Sequence, residues 1–169
     1  MRRVALRIRP GDERDEGAVL ALFDEAIAWL VARGQTGQWG ALPFSQREDA
    51  RDRVHQFAVG GGLYVGECDG RAVAALVVGE APAYAPKLAA PELYIPLLLT
   101  SRRLAGRDIG GALVRVAVDL ARRRGAVVVR VDCWAGAPGL IAWYERQGFV
   151  CCGSFEQNGW VGQIFKMTV

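Results

Sequence analysis

Between Arg102 and Gly111 stand three arginines and three glycines, set in the run Leu97-Leu98-Leu99-Thr100-Ser101-Arg102-Arg103-Leu104-Ala105-Gly106-Arg107-Asp108-Ile109-Gly110-Gly111-Ala112-Leu113. An apolar segment of strand character runs into a basic loop, and the loop opens a segment of helical pattern. Chemically this is an anion site. The first N–H groups of a helix lack intrahelical acceptors and carry partial positive charge. Glycines allow a phosphate to approach the backbone closely, and Arg102, Arg103 and Arg107 add countercharge. Two common phosphate loops do not fit. No Gly-Lys-Ser/Thr occurs, which excludes a P-loop. Gly106, Gly110 and Gly111 lack the Gly-x-Gly-x-x-Gly spacing of a dinucleotide fold. The four cysteines (Cys68, Cys133, Cys151, Cys152) form no Cys-x-x-Cys pair, and His55 is the single histidine. A tetrahedral zinc site is therefore not expected, nor is a Cys–His nucleophile pair around Cys133.

The elements that must position this loop follow from periodicity. Leu6 to Arg9 alternates like a half-solvated strand. Asp12 and Asp15 can cap a helix carrying Leu20, Phe23, Ile27 and Leu30, which Gly34 ends. Gln35 to Phe44, with Trp39, reads as an ordered loop. Ser45 to Val59 predicts a second helix, with Ser45 and Glu48 as a capping box. Leu63 to Cys68 and Ala72 to Val78 flank Asp69-Gly70, a hairpin signal. Ala81 to Pro91 is a loop, and Leu93 to Thr100 a strand. Gly110 to Arg124 is a helix stopped by Gly125. Val127 to Val131 is β-branched, as in a strand covered on both faces. Pro138 to Gln147 is a short helix started by Pro and stopped by Gly148. Phe149 to Phe155 and Val161 to Met167 close the chain as an antiparallel pair. The strand–helix–strand unit from Leu93 to Val131 requires a parallel crossover. The expected fold is α+β (mixed α/β): residues 1–169 as a single domain around one twisted, mostly antiparallel sheet with a central parallel strand-helix-strand unit.

Two of these segments carry a resemblance. The loop is similar to the acetyl-CoA pyrophosphate loop of the GNAT superfamily of N-acetyltransferases, written Arg/Gln-x-x-Gly-x-Gly/Ala. The segment Tyr144-Glu145-Arg146-Gln147-Gly148-Phe149 resembles the family's later Tyr-Glu-x-x-Gly-Phe motif. The favoured register puts Ala105 at the Arg/Gln position, Asp108 at the first Gly and Ile109-Gly110 at the final x-Gly. A shift by two gives Arg107-x-x-Gly110-x-Ala112. In the favoured register Asp108 sets a carboxylate beside a pyrophosphate, which weakens cofactor binding unless the side chain turns outward or pairs with an arginine. Asn is frequent in the family seven residues before the Tyr; here Ala137 stands there.

The resemblance implies acetyl-CoA as acyl-donor cosubstrate. Its pyrophosphate would lie on Ala105, Gly106, Arg107, Asp108, Ile109, Gly110 and Gly111, and its pantetheine arm on the backbone of Leu98, Leu99 and Thr100. It implies Tyr144 as the catalytic acid that protonates the leaving thiolate. Glu92 is the leading general base; its spacing of two from Tyr94 places both on one side of a strand. Asp132 and Glu67 are weaker candidates. Trp39 and Tyr94 lead the acceptor-pocket candidates, with Trp29 and Tyr84 behind them; Trp29, at helical spacing, is expected in the core. The implied reaction moves an acetyl group to a primary amine of a small molecule or peptide by direct attack. The reading from another class is a non-catalytic acyl-CoA-binding or sensor module.

Composition bounds the rest. In 169 residues, 51% hydrophobic content suffices for one core without disulfides, and a net charge of +3 is too small for a nucleic-acid face. Arg122-Arg123-Arg124 suits a helix C-terminus. No run reaches membrane-spanning length, and the N-terminus lacks the apolar stretch of a secretion signal. Unpaired cysteines point to a reducing cytoplasmic setting. The family resemblance adds a homodimer as the expected assembly.

Overall fold

Left-handed residues punctuate this chain, and most of its elements end on one. The computed structural model describes residues 5–169, in the order β1 (Arg7–Pro10), α1 (Glu16–Val31), α2 (Glu48–Val59), β2 (Leu63–Cys68), β3 (Arg71–Gly79), β4 (Glu92–Thr100), α3 (Ile109–Arg123), β5 (Val128–Trp134), α4 (Pro138–Arg146), β6 (Val150–Gln157) and β7 (Trp160–Thr168). The strand order is β1-β2-β3-β4-β5-β7-β6. All given pairings are antiparallel except β4 with β5. The mixed α/β class read from the sequence is the observed one. The chain divides into two compact units, one running through Val77 and including Leu97–Gly110, the other comprising Val78–Pro96 and Gly111–Val169.

In the first unit, Asp12 and Asp15 form a reciprocal cap on a short 3-10 turn, Glu13–Asp15, that leads into α1. The Arg9 guanidinium holds Asp15 at 2.8 and 3.0 Å and Glu67 at 2.9 Å, tying β1 to the start of α1 and to β2. Those hydrogen bonds hold the Asp15 carboxyl below its usual range. Helix α1 buries Val19, Leu22, Phe23, Ala26 and Ile27. They meet Val54 and Ala58 of α2, Leu63 and Val65 of β2, and Leu97 and Leu99 of β4. Each fully buried large side chain of this kind contributes about 1.5–3 kcal/mol. Gly34 at φ 68° closes α1: the Gln35 N–H donates to Leu30 O and the Gly34 N–H to Val31 O, so the last carbonyls are satisfied.

One expectation fails here. Helix α2 starts at Glu48 without a side-chain cap, and Ser45 lies in a separate 3-10 turn, Phe44–Gln46. The Ser45 hydroxyl donates to Asp24 Oδ2 at 2.5 Å and its N–H to Asp24 Oδ1 at 3.2 Å. A tertiary acceptor on α1 outcompetes the local capping box. Asp69 (φ 50°) and Gly70 (φ 74°) make the expected tight hairpin turn between β2 and β3.

In the second unit, β4 and β5 run parallel from Glu92↔Val128 to Ile95↔Val131. Pro96 follows, where β4 has no N–H to offer. Strand β5 pairs along its length with β7, and β7 with β6 through Asn158 (φ 50°) and Gly159 (φ 81°). That turn, an Asn-Gly pair with the same geometry as the first hairpin, was not singled out in the sequence reading. Val129, Arg130 and Val131 are all buried, so β5 is covered on both faces there, one of them by an arginine.

Candidate active site

The basic loop belongs to the first unit. Ser101 donates its N–H to Val73 O at 2.7 Å, which fixes the end of β4. From α1, Glu25 Oε1 accepts the Ser101 hydroxyl at 2.9 Å and the Arg102 N–H at 2.7 Å. The first turn of the loop is thereby held by a carboxylate 76 residues upstream in sequence. Glu25 was not among the sequence candidates, and nothing local to it signals this role. Arg102 lies 3.8 Å from the centroid of the Trp29 ring, and Arg33 lies 3.8 Å from the same centroid. Two guanidiniums cannot occupy one position above a ring, so they flank it. Trp29, expected in the core, instead serves as a plate between two cations. Burial first, and the Arg33 charge second, lower the Arg102 pKa.

The loop backbone turns left-handed twice, at Gly106 (φ 79°) and at Asp108 (φ 55°), before α3 begins at Ile109. This decides between the two registers. The position where the family has its first Gly needs a left-handed residue, and Asp108 adopts that conformation. In the shifted register that Gly would be Gly110, which is helical. A residue added at Gly106 would meet open space, so it is the left-handed backbone that calls for Gly there. The consecutive N–H groups at the head of α3, the open backbone at Gly106 and the arginine-rich turn suit a diphosphate. Leu97 and Leu99 point into the core, while Leu98 and Thr100 alternate to the other face and are half-buried. Trp39 is half-buried at the edge of the same core, edge-on to Phe23 at 5.2 Å.

The second unit holds the other candidates on two faces of its strands. On one face lies Tyr144 of α4, 4% exposed, with its ring stacked on Phe165 at 5.5 Å and edge-on to Phe149 at 5.7 Å. The motif around it has a structural reason. Gly148 (φ 99°) ends α4; the Phe149 N–H donates to Tyr144 O and the Gly148 N–H to Glu145 O. In this cap the residue after the glycine packs on the one five positions earlier, and here those are Phe149 and Tyr144. Tyr-Glu-x-x-Gly-Phe thus sets the phenol by a helix C-cap. Burial first, then Cys133 and Asp132, raise the Tyr144 pKa, so the hydroxyl stays protonated. Burial pushes the neighbouring Cys133 up to about 12, which keeps it a thiol rather than a nucleophile.

On the opposite face Arg130 of β5, 2% exposed, gives Nε and Nη2 to Glu92 at 2.5 and 2.8 Å. Glu92 and Tyr94 do share that side: the Arg130 guanidinium lies 5.5 Å from the Tyr94 ring centroid. Tyr94 is fully buried and donates its hydroxyl to Asp132 Oδ2, as does Tyr84 at 3.0 Å. Burial, the Asp132 charge and that hydrogen bond raise the Tyr94 pKa. The structure therefore gathers Glu92, Tyr94, Tyr84 and Asp132 into one polar row. Among the described residues, no group of three or more His, Cys, Asp or Glu could hold a metal ion.

Comparison with known proteins agrees with this geometry. No curated protein matches the sequence. A GNAT-family acetyltransferase from Listeria monocytogenes is similar in structure, with a TM-score of 0.75 at 19% identity over 97% of this chain and 95% of that one. So is a ribosomal-protein-alanine N-acetyltransferase from Brucella melitensis, at TM-score 0.69 and 20% identity over 96% and 99%. A polyamine N-acetyltransferase from Drosophila melanogaster scores 0.71 at 16% identity over 97% and 100%. At these identities the likeness concerns the fold. The sequence pattern of the Acetyltransferase (GNAT) family matches residues 25–149, from the glutamate that anchors the loop to the phenylalanine that caps α4, and the chain belongs to that family.

Proposed function

We infer that this acyltransferase moves an acetyl group from acetyl-CoA to a primary amine of a small molecule or peptide by direct attack of the amine. The observation that carries the reading is Tyr144: a buried phenol, kept protonated, and set by the C-cap of α4. Acetyl-CoA supplies an activated thioester whose thiolate must be protonated as it leaves, and a phenol held in its neutral form can supply that proton. The head of α3, with Gly106 and Asp108 in left-handed conformation, supplies backbone N–H groups for the diphosphate. The backbone of Leu98, Leu99 and Thr100 supplies the strand edge for the pantetheine arm.

Removal of the ammonium proton falls to the polar row of the second unit. Glu92, the leading base from the sequence, has both oxygens on Arg130, which favours a role in holding the row over one in taking a proton. Asp132, whose partners include two phenols, is the better placed carboxylate. Trp39 stays a pocket candidate only at the edge of the first unit's core. The solved relatives that bear names for polyamine, agmatine and ribosomal-protein-alanine acetylation support an amine as acceptor. The unpaired cysteines, Cys68 and Cys133 among them buried, suit a reducing cytoplasm, and a homodimer remains the expected assembly. No helix among the described residues is long and apolar enough to cross a membrane.

The test is release of free thiol from acetyl-CoA against a panel of amines. Release with at least one alkylamine, abolished in Tyr144→Phe, is expected. Binding of acetyl-CoA without thiol release for any amine would favour the sensor reading.

A further inference from the structure

Asp132 sits among neutral hydroxyls and aromatic rings, and that setting says what it is for. Its Oδ2 accepts from Tyr84 and Tyr94. Arg130, two residues earlier on the same face of β5, commits its guanidinium to Glu92 at 2.5 and 2.8 Å. Beside the carboxylate, Tyr84 stacks on Phe155 at 4.2 Å, and Phe155 tilts against Trp160 at 5.6 Å. Those three rings and Asp132 are half-buried, so the row keeps a wet side. Gly162 is what lets the rings lie down on the sheet. A Cβ there would come 2.2 Å from Phe155 Cζ and 2.7 Å from Trp160 Cζ3. Glycine thus makes room for an aromatic floor beside a carboxylate.

We propose that Asp132, set by Tyr84 and Tyr94 and floored by Phe155 and Trp160, binds an alkylammonium cation, so that the acceptor amine is received in its charged form. The carboxylate supplies Coulombic attraction in a partly dewatered setting. The rings supply their negative faces and exclude water from the alkyl arm. The preferred acceptors are alkylamines that are protonated in water. Arylamines, neutral at the same pH, and amines carrying a nearby carboxylate are disfavoured. This rests on the acetyl-transfer reading, but its test does not need turnover.

The probes are butyltrimethylammonium, pentanamide and pentanoate: one cation, one neutral amide and one anion of similar size. The cation has no N–H to acetylate, so calorimetric titration of the full chain reads binding alone. The cation should bind about tenfold or more tighter than the amide, and pentanoate no tighter than the amide. Asp132→Asn should bring the cation to within about threefold of the amide. Equal binding of cation and amide by the wild-type protein overturns the proposal, as does tighter binding of pentanoate, which would point to the Arg33–Trp29–Arg102 plate instead. Cation affinity unchanged in Asp132→Asn also overturns it. Should that variant fail to fold, the wild-type series decides alone, and Trp160→Leu should weaken the cation more than the amide. Failure of every amine to release thiol would sink acetyl transfer and leave the cation titration standing.

Discussion

The loop of the first unit and the polar row of the second present opposite charges by different means. At the head of α3 the binding groups are backbone N–H groups, and what the sequence must supply is conformation: left-handed turns at Gly106 and Asp108 and an anchor at Glu25. In the second unit the binding groups are side chains, namely the Asp132 carboxylate, the Tyr84 and Tyr94 phenols and the Tyr144 hydroxyl. A backbone site tolerates exchange of side chains as long as φ is kept. That explains how Ala105 and Asp108 can stand where the family has Arg or Gln and Gly. A side-chain site tolerates little, because each atom is itself the reagent.

Single changes should expose this asymmetry. The largest effect is expected at Tyr144. Tyr144→Phe keeps the ring packing on Phe165 but removes the proton donor, and kcat should fall about a hundredfold or more with the KM for acetyl-CoA nearly unchanged. Unchanged kcat in a folded variant would remove the acid role. Next is Glu92→Gln, which strands the Arg130 guanidinium. Breaking a buried pair of this kind costs about 3 kcal/mol, measurable as a lower urea midpoint with an unchanged slope. A loss below about 0.5 kcal/mol would mean that the pair is solvated and does not hold the row.

Gly162→Ala probes the floor, since Phe155 must swing away from the added methyl. Stability should drop by about 1–3 kcal/mol, and the cation should bind more weakly than the amide series predicts. A stable variant with unaltered cation affinity would separate the rings from the site. Asp108→Gly tests the backbone site and should act in the opposite direction. Removing a carboxylate from the diphosphate's side and a left-handed non-glycine residue should tighten acetyl-CoA a few-fold, by about 1 kcal/mol. Ordinary tight binding, unchanged by the substitution, would show that Asp108 points away.

The smallest effect concerns His55, which pairs with Glu16 at 2.5 Å in the first unit. Glu16 raises the His55 pKa. Its contribution to stability is therefore fully present below the unfolded value of about 6.5 and is lost as pH rises through the folded value. His55→Gln should lower the Tm at about pH 6 and leave it nearly unchanged at about pH 9. An equal drop at both would refute the linkage.

Periodicity and punctuation are local properties, so most of the fold was legible. Asp69-Gly70, Gly125 and Gly148 stop or turn the chain because their neighbours need a left-handed residue there, whatever lies elsewhere. The Tyr144–Phe149 motif was legible for the same reason, since a helix C-cap is written in six consecutive residues. Ser45 misled because its local cap lost to Asp24, 21 positions away. Trp29 misled because helical spacing puts a ring on a face without saying what the face meets, which here is Arg102 from another element.

What the residues determined alone is therefore the element order, the mixed α/β class, the left-handed turns of the loop and the cap that holds Tyr144. Only the tertiary structure decided that Glu25 anchors the loop, that Arg130 takes Glu92, and that Tyr84, Tyr94 and Asp132 meet. Hydrogen bonds between residues 38 or more positions apart depend on strand register and on which face each side chain takes. Strand pairing sets both, and no single segment encodes them.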